Sequence, residues 1–244
     1  MEVHHHPEVE KKGFKEYLLE GLMIFLAVTM GFFAESLREH ISNKEKTAEY
    51  MQSLLVDLKT DTASINQYLM GESKKWDAYK ELLGYLKKPL QHDTAYLSKF
   101  YKAAFYTVGR NGMGFTDRII GQLKNSDNFR LINSRAVADA ITDYSSGTAY
   151  YNYLSDQDDH YTGESQEQAR LLINFAVYAS PISTGQQVDN TIDLISTDPH
   201  VIQQYINSIY LREMVEGTMN YAVEQQKKRA IALIGLLKKE YKLE

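Results

Sequence analysis

Histidine side chains near the N-terminus are the groups of this chain that most resemble a metal-binding sequence. His4, His5 and His6 are adjacent, and adjacent histidines in a tail can hold a divalent ion. Structural and catalytic metal sites, however, need ligands that ordered elements hold at a defined spacing. The triplet therefore favours an exposed polar tail, with metal binding and a tag remnant as open alternatives.

A run of carboxylates is the second candidate for metal chemistry. Asp156, Asp158, Asp159 and Glu164 offer oxygen ligands of the kind that calcium prefers. The run lacks the glycine and the terminal glutamate of a calcium-binding loop at the required offsets. We therefore predict a solvated acidic loop and no metal site.

Catalytic patterns are missing from the sequence. The chain has no cysteine, which excludes disulfides and thiol chemistry. We find no glycine-rich phosphate loop, no GxSxG motif and no pair of carboxylates at a catalytic spacing. A net charge of -5 without a long basic block disfavours nucleic acid as a partner. The sequence predicts a protein that is not an enzyme, with no catalytic residue and no cofactor.

Glu20 and Glu35 flank an apolar stretch that is suited to lipid. The 14 residues between them, 21–34, carry no charge and include Thr29 as their one hydroxyl. Crossing a bilayer takes about 20 residues, and extension to residues 14–37 supplies that length. We predict an uncleaved membrane anchor, with a buried core helix or an in-plane amphipathic helix as alternatives. A cleaved signal peptide fits less well, because the bulky Phe32 and Phe33 precede the candidate cleavage site.

Four residues of this segment are candidates for a membrane-helix contact. Glu20 and Glu35 are 15 residues apart, which places them within about 60° of one helix face. Ala27 and Gly31 form a small-xxx-small pair that permits close approach of a second helix. In the alternative interpretation, the two carboxylates lie at the two membrane interfaces and meet headgroups and water.

The anchor divides the chain into a tail (1–13), a transmembrane segment (14–37) and a soluble domain (38–244). Basic residues are equally frequent on both sides of the span, so their number does not set the orientation. A short, uncleaved N-terminal anchor more often leaves its tail in the cytoplasm. We therefore expect a single-pass protein of the bacterial inner membrane with a periplasmic soluble domain.

The periodicity after the anchor predicts an all-α fold. Apolar residues recur at alternating steps of four and three, the spacing of a coiled-coil seam, and Thr62 and Glu72 interrupt it. The same phase continues back into the anchor, so one helix is predicted over residues 14–87 and should end before Pro89. The seam consists of Met51, Leu55, Leu58, Thr62, Ile65, Leu69, Glu72, Trp76, Tyr79, Leu83 and Leu86.

Shorter helices and a second long helix complete the predicted elongated bundle. Thr197, Asp198 and Pro199 form a helix start, because Pro at the first position gives up a donor that would be unpaired. Three glycines between residues 109 and 114 indicate a loop. The expected helices are one from 93 or 94 to 105, one over 115–123, one that starts at 133 or 134, one that includes 150–154 and ends at the acidic run, one over 164–179 and one over 201–241. Residues 181–187 are expected to form a linker.

Tyrosine is unusually frequent, with 18 in the chain. Its ring is both apolar and polar, so it suits the edge of a core and also a binding surface. Core packing is the default interpretation. A partner face is the alternative, and its candidate residues are Tyr144, Tyr150, Tyr151, Tyr153 and Tyr161.

Three stretches carry a resemblance to a known group of proteins. They are HHHPEVEKKGFKEYLLEGLMIFLAVTMGFFAESLREHI, IIGQLKNSDNFRLINSRAVADAITDY and DNTIDLISTDPHVIQQYINSI. In them the chain resembles single-anchor membrane proteins of the Bacteroidota whose function is unknown. The resemblance implies an inner-membrane protein with a helical soluble domain and a native histidine triplet. It implies little about activity.

Two functions are compatible with these features. The first is a non-catalytic, membrane-anchored scaffold or accessory subunit that self-associates or docks on a larger membrane assembly. The second is a ligand-binding helical sensor that signals through a separate partner. The sequence favours the first, because it shows no second span and no output domain. The expected partners are the lipid bilayer and either further copies of the chain or a membrane protein complex.

Overall fold

The computed structural model describes residues 13–126, 128–179 and 193–244, which form helices and contain no strand. The predicted all-α class is thereby confirmed, whereas the histidine triplet and the linker at 181–187 lie outside the described residues. Two compact units are present, one ending at Tyr50 and the other covering Met51–Glu244. The helices are α1 (Phe14–Leu86), α2 (Thr94–Val108), α3 (Arg118–Asn125), a 3-10 helix (Asn128–Leu131), α4 (Arg135–Leu172), α5 (Ala176–Ala179) and α6 (Pro199–Tyr241).

Helix α1 has 73 residues and ends one residue before the predicted boundary. At its start, the Glu16 carboxylate accepts a hydrogen bond of 2.9 Å from the Gly13 N–H, one of the orphan donors of a helix N-terminus. At its end, Pro89 follows within three residues and prevents continuation. Residues 14–50 of α1 belong to the first unit and residues 51–86 to the second.

The second unit is built on α1, α4 and α6, and two of its apolar clusters each include residues of all three helices. The first cluster joins the end of α1 to α2, to the end of α4 and to the start of α6, through residues such as Leu82, Phe100 and Tyr205. The second cluster joins Ile65 of α1, Tyr151 of α4 and Val223 of α6. Following the chain, α1 and α4 pass from the second cluster to the first. Helix α6 passes in the opposite order and is therefore antiparallel to both.

The predicted seam of α1 is confirmed in this unit. Most of its positions from Met51 to Leu86 are buried, and Thr62, Leu69 and Trp76 are partly buried. The buried face is broader than a two-residue seam, because Leu54, Tyr68 and Leu82 are also inside. A helix that packs against several others needs this wider apolar stripe.

The segment 135–172 differs from the prediction. We expected separate helices and an acidic loop, but α4 is one helix of 38 residues. No proline interrupts it, and glycine at 147 and 163 lowers helix propensity by only about 1 kcal/mol each. Residues 156–159 lie inside the helix, and Asp158 is fully buried. The interpretation as a solvated acidic loop is therefore wrong.

The predicted helix starts of α2 and α6 are confirmed by their caps. The Asp93 carboxylate accepts from the Tyr96 N–H at 2.9 Å. The Asp198 carboxylate accepts from the His200 N–H at 2.8 Å, and Pro199 occupies the first position of α6. Both caps are oxygen acceptors for otherwise unpaired donors, which fixes where these helices begin.

Candidate functional sites

The first unit carries an apolar helical surface that the rest of the described structure leaves uncovered. Residues 13–42 are all exposed. Within the described chain, the helix Phe14–Leu86 is the one with a stretch long and apolar enough to cross a membrane by length and composition. Its exposed large apolar residues are Phe14, Tyr17, Leu18, Leu19, Leu22, Met23, Ile24, Phe25, Leu26, Val28, Met30, Phe32, Phe33, Leu37 and Ile41.

The polar groups of this segment find partners within the helix. Thr29 donates its hydroxyl to the Phe25 carbonyl at 2.8 Å. Arg38 donates to the Glu35 carboxylate at 3.0 Å from Nε and at 2.5 Å from Nη2. A hydroxyl or a carboxylate that is paired in this way costs less to place near hydrocarbon than a bare one.

The residues predicted to form a membrane-helix contact lie on this exposed surface. Glu20, Ala27, Gly31 and Glu35 are all exposed in the unit. A Cβ added at Gly31 would meet no atom of the described residues within 4 Å. Their role in a contact between helices stays a prediction.

The second unit contains a polar layer between the two apolar clusters described above. We use this name for Glu72 and Lys75 of α1, Asp158 of α4, and Arg212 and Glu216 of α6, all at most 3% exposed. These residues continue the inward-facing spacing of their helices. On α1, for example, positions 65, 68, 72, 75, 79 and 82 are all buried. Ionisable side chains thus occupy positions where apolar residues are expected.

Glu216 is the centre of this layer. Its Oε1 accepts from Lys75 Nζ at 2.5 Å and from the Tyr79 hydroxyl at 3.1 Å. Arg212 Nε lies 3.0 Å from the same oxygen. Burial raises the pKa of Glu216, and the cationic Lys75 and Arg212 oppose that rise. The carboxylate therefore connects two helices and compensates two cations.

Arg212 joins the polar layer to the end of α2. Its guanidinium donates to the Thr107 carbonyl and, at 2.5 Å, to the Gly109 carbonyl. Carbonyls in the last turn of a helix lack intrahelical partners and carry the negative end of the helix dipole. The buried guanidinium of Arg212 supplies hydrogen-bond donors to these carbonyls and a positive charge beside the negative end of the dipole. Arg212 is one of the largest fully buried side chains of the described structure.

The glycine-rich loop after α2 is held by side chains from all three long helices. Arg110 donates to Asp158 at 2.9 Å, to Asp159 at 3.2 Å and to the Ser155 carbonyl at 2.7 Å. The amide of Asn111 donates to Glu72 at 2.9 Å. The loop residue Arg110 thus adds a third cationic side chain beside the three carboxylates of the polar layer.

The loop is also fixed at its second half. The Tyr151 hydroxyl accepts from the Met113 N–H at 3.2 Å and donates to the Met113 carbonyl at 3.1 Å. Asp61 accepts from the Thr116 N–H at 2.9 Å and from its hydroxyl at 2.8 Å. The Tyr144 hydroxyl donates to the other oxygen of Asp61 at 2.6 Å. Buried groups on α1 and α4 thus set the path of a loop that glycine alone would leave free.

The proposed tyrosine face is only partly exposed. Tyr144 and Tyr151 are 1% exposed and belong to the interior, which corrects their assignment to a partner surface. Their hydroxyls bind Asp61 and Met113, as described, which explains why a polar aromatic residue is buried there. Tyr150 and Tyr153 are exposed, and their rings stack at 6.5 Å. Tyr161 is partly buried.

A groove of about 970 Å³ lies between α1 and the glycine-rich loop. Ser64, Gln67, Tyr68 and Lys74 line it from α1, and residues 110–114 line it from the loop. A second, smaller cavity of about 410 Å³ lies between α1 and α6, beside Trp76 and Asn220. Both are of a size that small-molecule sites have.

Sequence reasoning did not find the polar layer, although one signal for it was present. Glu72 interrupts an otherwise apolar seam, and a charged residue at an inward position needs a partner from another helix. Lys75 lies three residues on, at the next inward position. The partners on α4 and α6 are distant in sequence, which is why the pattern alone did not pair them.

Among the described residues, no group of three or more His, Asp or Glu side chains is placed to hold a metal ion. Comparison of the chain with protein-family models, with curated proteins and with solved structures gave no match.

Proposed function

We propose that this chain is a membrane-anchored helical scaffold or accessory subunit that acts without catalysis. One observation carries the proposal: the helical surface of residues 21–34 bears no charged side chain on any side and is exposed throughout. Residues 22–26, each rotated by about 100° from the last, are all large, apolar and exposed. A helix that docks in a protein groove needs only one apolar stripe, whereas lipid surrounds a helix completely.

The bilayer as partner also agrees with the polar groups of the segment. Thr29 returns its hydroxyl to the backbone, as hydroxyl groups do in transmembrane helices. Lys15 and Arg38 lie at the two ends, where long cationic side chains can extend to the headgroups. The proposal places the protein in a bacterial inner membrane as a single-pass member of the Bacteroidota group that it resembles, with a periplasmic soluble part.

A scaffold role is supported by how the second unit uses its charges. The cationic groups of the polar layer, and Arg110 beside it, contact carboxylates or carbonyls of the same unit. Such a network favours one arrangement of helices over others, because every alternative leaves charges buried without partners. The result is a rigid body suited to presenting surfaces to a partner.

Assembly through the anchor is the specific form of the proposal. At 100° per residue, Glu20, Ala27, Gly31 and Glu35 fall at about 0°, -20°, 20° and 60° around the helix axis. They share one face, and its small residues permit close helix contact. We infer that this face meets a second copy of the chain or the membrane helix of a partner.

Substitution of Gly31 tests assembly through the anchor. Gly31→Leu should lower the oligomer size or release a partner in mild detergent, because leucine prevents close approach. Gly21→Leu, about 80° from Gly31 around the helix axis, is the matched control, and Phe25→Leu, about 120° from Gly31, is a second. Both controls should leave the size unchanged. If both the wild type and Gly31→Leu are monomeric and bring down no partner, the anchor serves only as a tether.

Two further experiments, in a bacterium that expresses the protein, test the membrane location and the orientation. The protein should stay in the membrane fraction after alkaline carbonate extraction, and a reporter active only in the cytoplasm should be silent when fused after Glu244. Release by carbonate would contradict the membrane span, and strong reporter activity would reverse the orientation.

A further inference from the structure

The groove between α1 and the glycine-rich loop has a chemistry that the scaffold function does not use. Its lining contains two cationic residues, Lys74 and Arg110, and no carboxylate. Arg110 is engaged by Asp158, Asp159 and Ser155. Lys74 is exposed, and no hydrogen bond or ion pair engages it within the described part of the chain. One uncompensated positive charge thus faces the groove.

The loop side of the groove offers backbone donors. Gly112 and Gly114 are exposed, and the described structure provides no acceptor for the N–H of either. Between them, the Met113 N–H is turned to the Tyr151 hydroxyl. Backbone N–H groups together with a lysine ammonium form the donor set that proteins use for oxyanions.

The two glycines leave the backbone of the loop exposed. A Cβ added at Gly112 or at Gly114 would meet nothing within 4 Å, and neither residue has a positive φ. Packing and backbone conformation would therefore accept alanine at both positions. A backbone without a Cβ leaves room for another molecule to approach closely, and both positions line the groove.

The rest of the lining sets the size and character of the ligand. A volume of about 970 Å³ exceeds what an inorganic ion needs and falls in the range of small-molecule sites. Met70 and Met113 provide adaptable apolar surface. Tyr68 is 5% exposed, and its hydroxyl has no hydrogen-bond partner. The groove thus combines a lysine ammonium with the apolar side chains of two methionines in an otherwise largely polar lining.

We propose that this groove binds a small organic anion, with its carboxylate or phosphate held by Lys74 and the amides of Gly112 and Gly114 and its apolar body against Met70 and Met113. The inference goes beyond the proposed scaffold function and does not depend on the membrane anchor. Binding of this kind would give the chain a sensor function in addition.

Calorimetric titration of the full-length protein in a neutral detergent tests the proposal with three related probes. Phenyl phosphate and benzoate carry the two possible anionic groups on an apolar ring, and benzamide is their neutral counterpart. We expect saturable binding of at least one anion and at least about tenfold weaker binding of benzamide. The stronger of the two anions identifies the preferred group. No saturable binding of either anion up to about 10 mM, or equal binding of benzamide, would overturn the proposal.

Variants then locate the site. Lys74→Gln should weaken anion binding by about tenfold or more, the usual effect of losing one charged hydrogen bond. Lys80→Gln is a matched control on the same helix outside this groove and should bind as the wild type does. Equal binding by Lys74→Gln and Lys80→Gln would place the anion elsewhere and overturn the assignment.

The glycines provide a second test, which distinguishes a role in ligand binding from a purely structural role. The double variant Gly112→Ala with Gly114→Ala should bind the anion about tenfold more weakly, with an unchanged melting temperature, because both methyl groups enter open space. Unchanged affinity would show that the ligand does not approach the loop, and a large loss of melting temperature would show that the glycines serve the fold.

Discussion

At the scale of single residues, the fold of the second unit depends on how Glu216 is compensated. Its side chain is 1% exposed, and that of its partner Lys75 is 4% exposed. A buried ion pair contributes little net stability over an apolar pair, but removing one partner leaves a charge without compensation. Lys75, Arg212 and Glu216 thus make the fold specific by making its alternatives costly.

Neutralising either Lys75 or Glu216 should therefore strongly destabilise the second unit. We expect Lys75→Met and Glu216→Gln each to lower the free energy of unfolding by about 3–5 kcal/mol. The double variant should lose about 1–3 kcal/mol less than the sum, because the two groups interact directly. Denaturant unfolding of the four proteins measures this cycle.

An exposed ion pair provides the control for the cycle. Arg135 and Asp139 are 3.7 Å apart, with side chains 94% and 74% exposed. Arg135→Ala should change stability by less than about 0.5 kcal/mol. Additive losses in the Lys75 and Glu216 cycle would contradict a direct pair in the interior.

At the scale of helices, α4 places two glycines in opposite surroundings. A Cβ at Gly147 would overlap the side-chain oxygen Oε1 of Gln226 and lie 2.8 Å from Arg229 Nη1. Gln226 is fully buried, and its amide donates to the Tyr144 carbonyl at 2.8 Å and to the Thr148 hydroxyl at 2.9 Å. Gly163, by contrast, is exposed with open space around it. Close approach of α6 therefore requires glycine at 147 and not at 163.

The same substitution at the two sites should have opposite effects. Gly163→Ala should stabilise the protein by about 0.5–1 kcal/mol through helix propensity. Gly147→Ala should destabilise it by about 1–3 kcal/mol, because Gln226 must move and leave buried polar groups unpaired. Thermal melts of both variants measure the difference. Equal stabilisation by the two changes would mean that α4 and α6 do not meet closely at this point.

Some helices could be predicted from the sequence and others could not, for physical reasons. The limits of α1 and the start of α6 were predictable, because a proline, a capping aspartate and an apolar period are local signals. The unbroken α4 was not, because the acidic residues 156–159 are unfavourable in a helix interior unless another element supplies cations. Arg110 and Arg212 supply them, and both lie far away in the sequence. The candidate groove was equally hidden, since only the glycines of its loop could be recognised.

At the scale of the whole molecule, burial of tyrosine makes the stability of the second unit sensitive to alkali. Burial raises the pKa of six tyrosines that are at most 5% exposed, and it raises that of Tyr205 to about 12. These residues are Tyr68, Tyr79, Tyr101, Tyr144, Tyr151 and Tyr205. The cause is the cost of placing a phenolate in a medium of low dielectric constant.

The sign of the pH effect follows from proton binding. Above about pH 10, the ordinary pKa of tyrosine, the unfolded chain loses phenolic protons that the folded chain keeps. The contribution of these tyrosines to stability is therefore complete below about pH 10 and is lost as pH rises through the folded pKa values. Each fully affected tyrosine lowers stability by about 1.4 kcal/mol per pH unit. Several such tyrosines together can therefore offset a large part of the about 5–15 kcal/mol that a domain of this kind has.

We therefore expect cooperative unfolding between about pH 10 and 12, with the buried tyrosines ionising as the helices are lost. Tyrosinate absorbance and helical circular dichroism, followed on the same sample, should change together in that range. Tyr205→Phe should shift the midpoint to higher pH, after correction for its stability at neutral pH, since it removes one group that ionises only on unfolding. Ionisation of all tyrosines without loss of helix would contradict the burial of these rings, and with it the packing of α1, α4 and α6 around the polar layer.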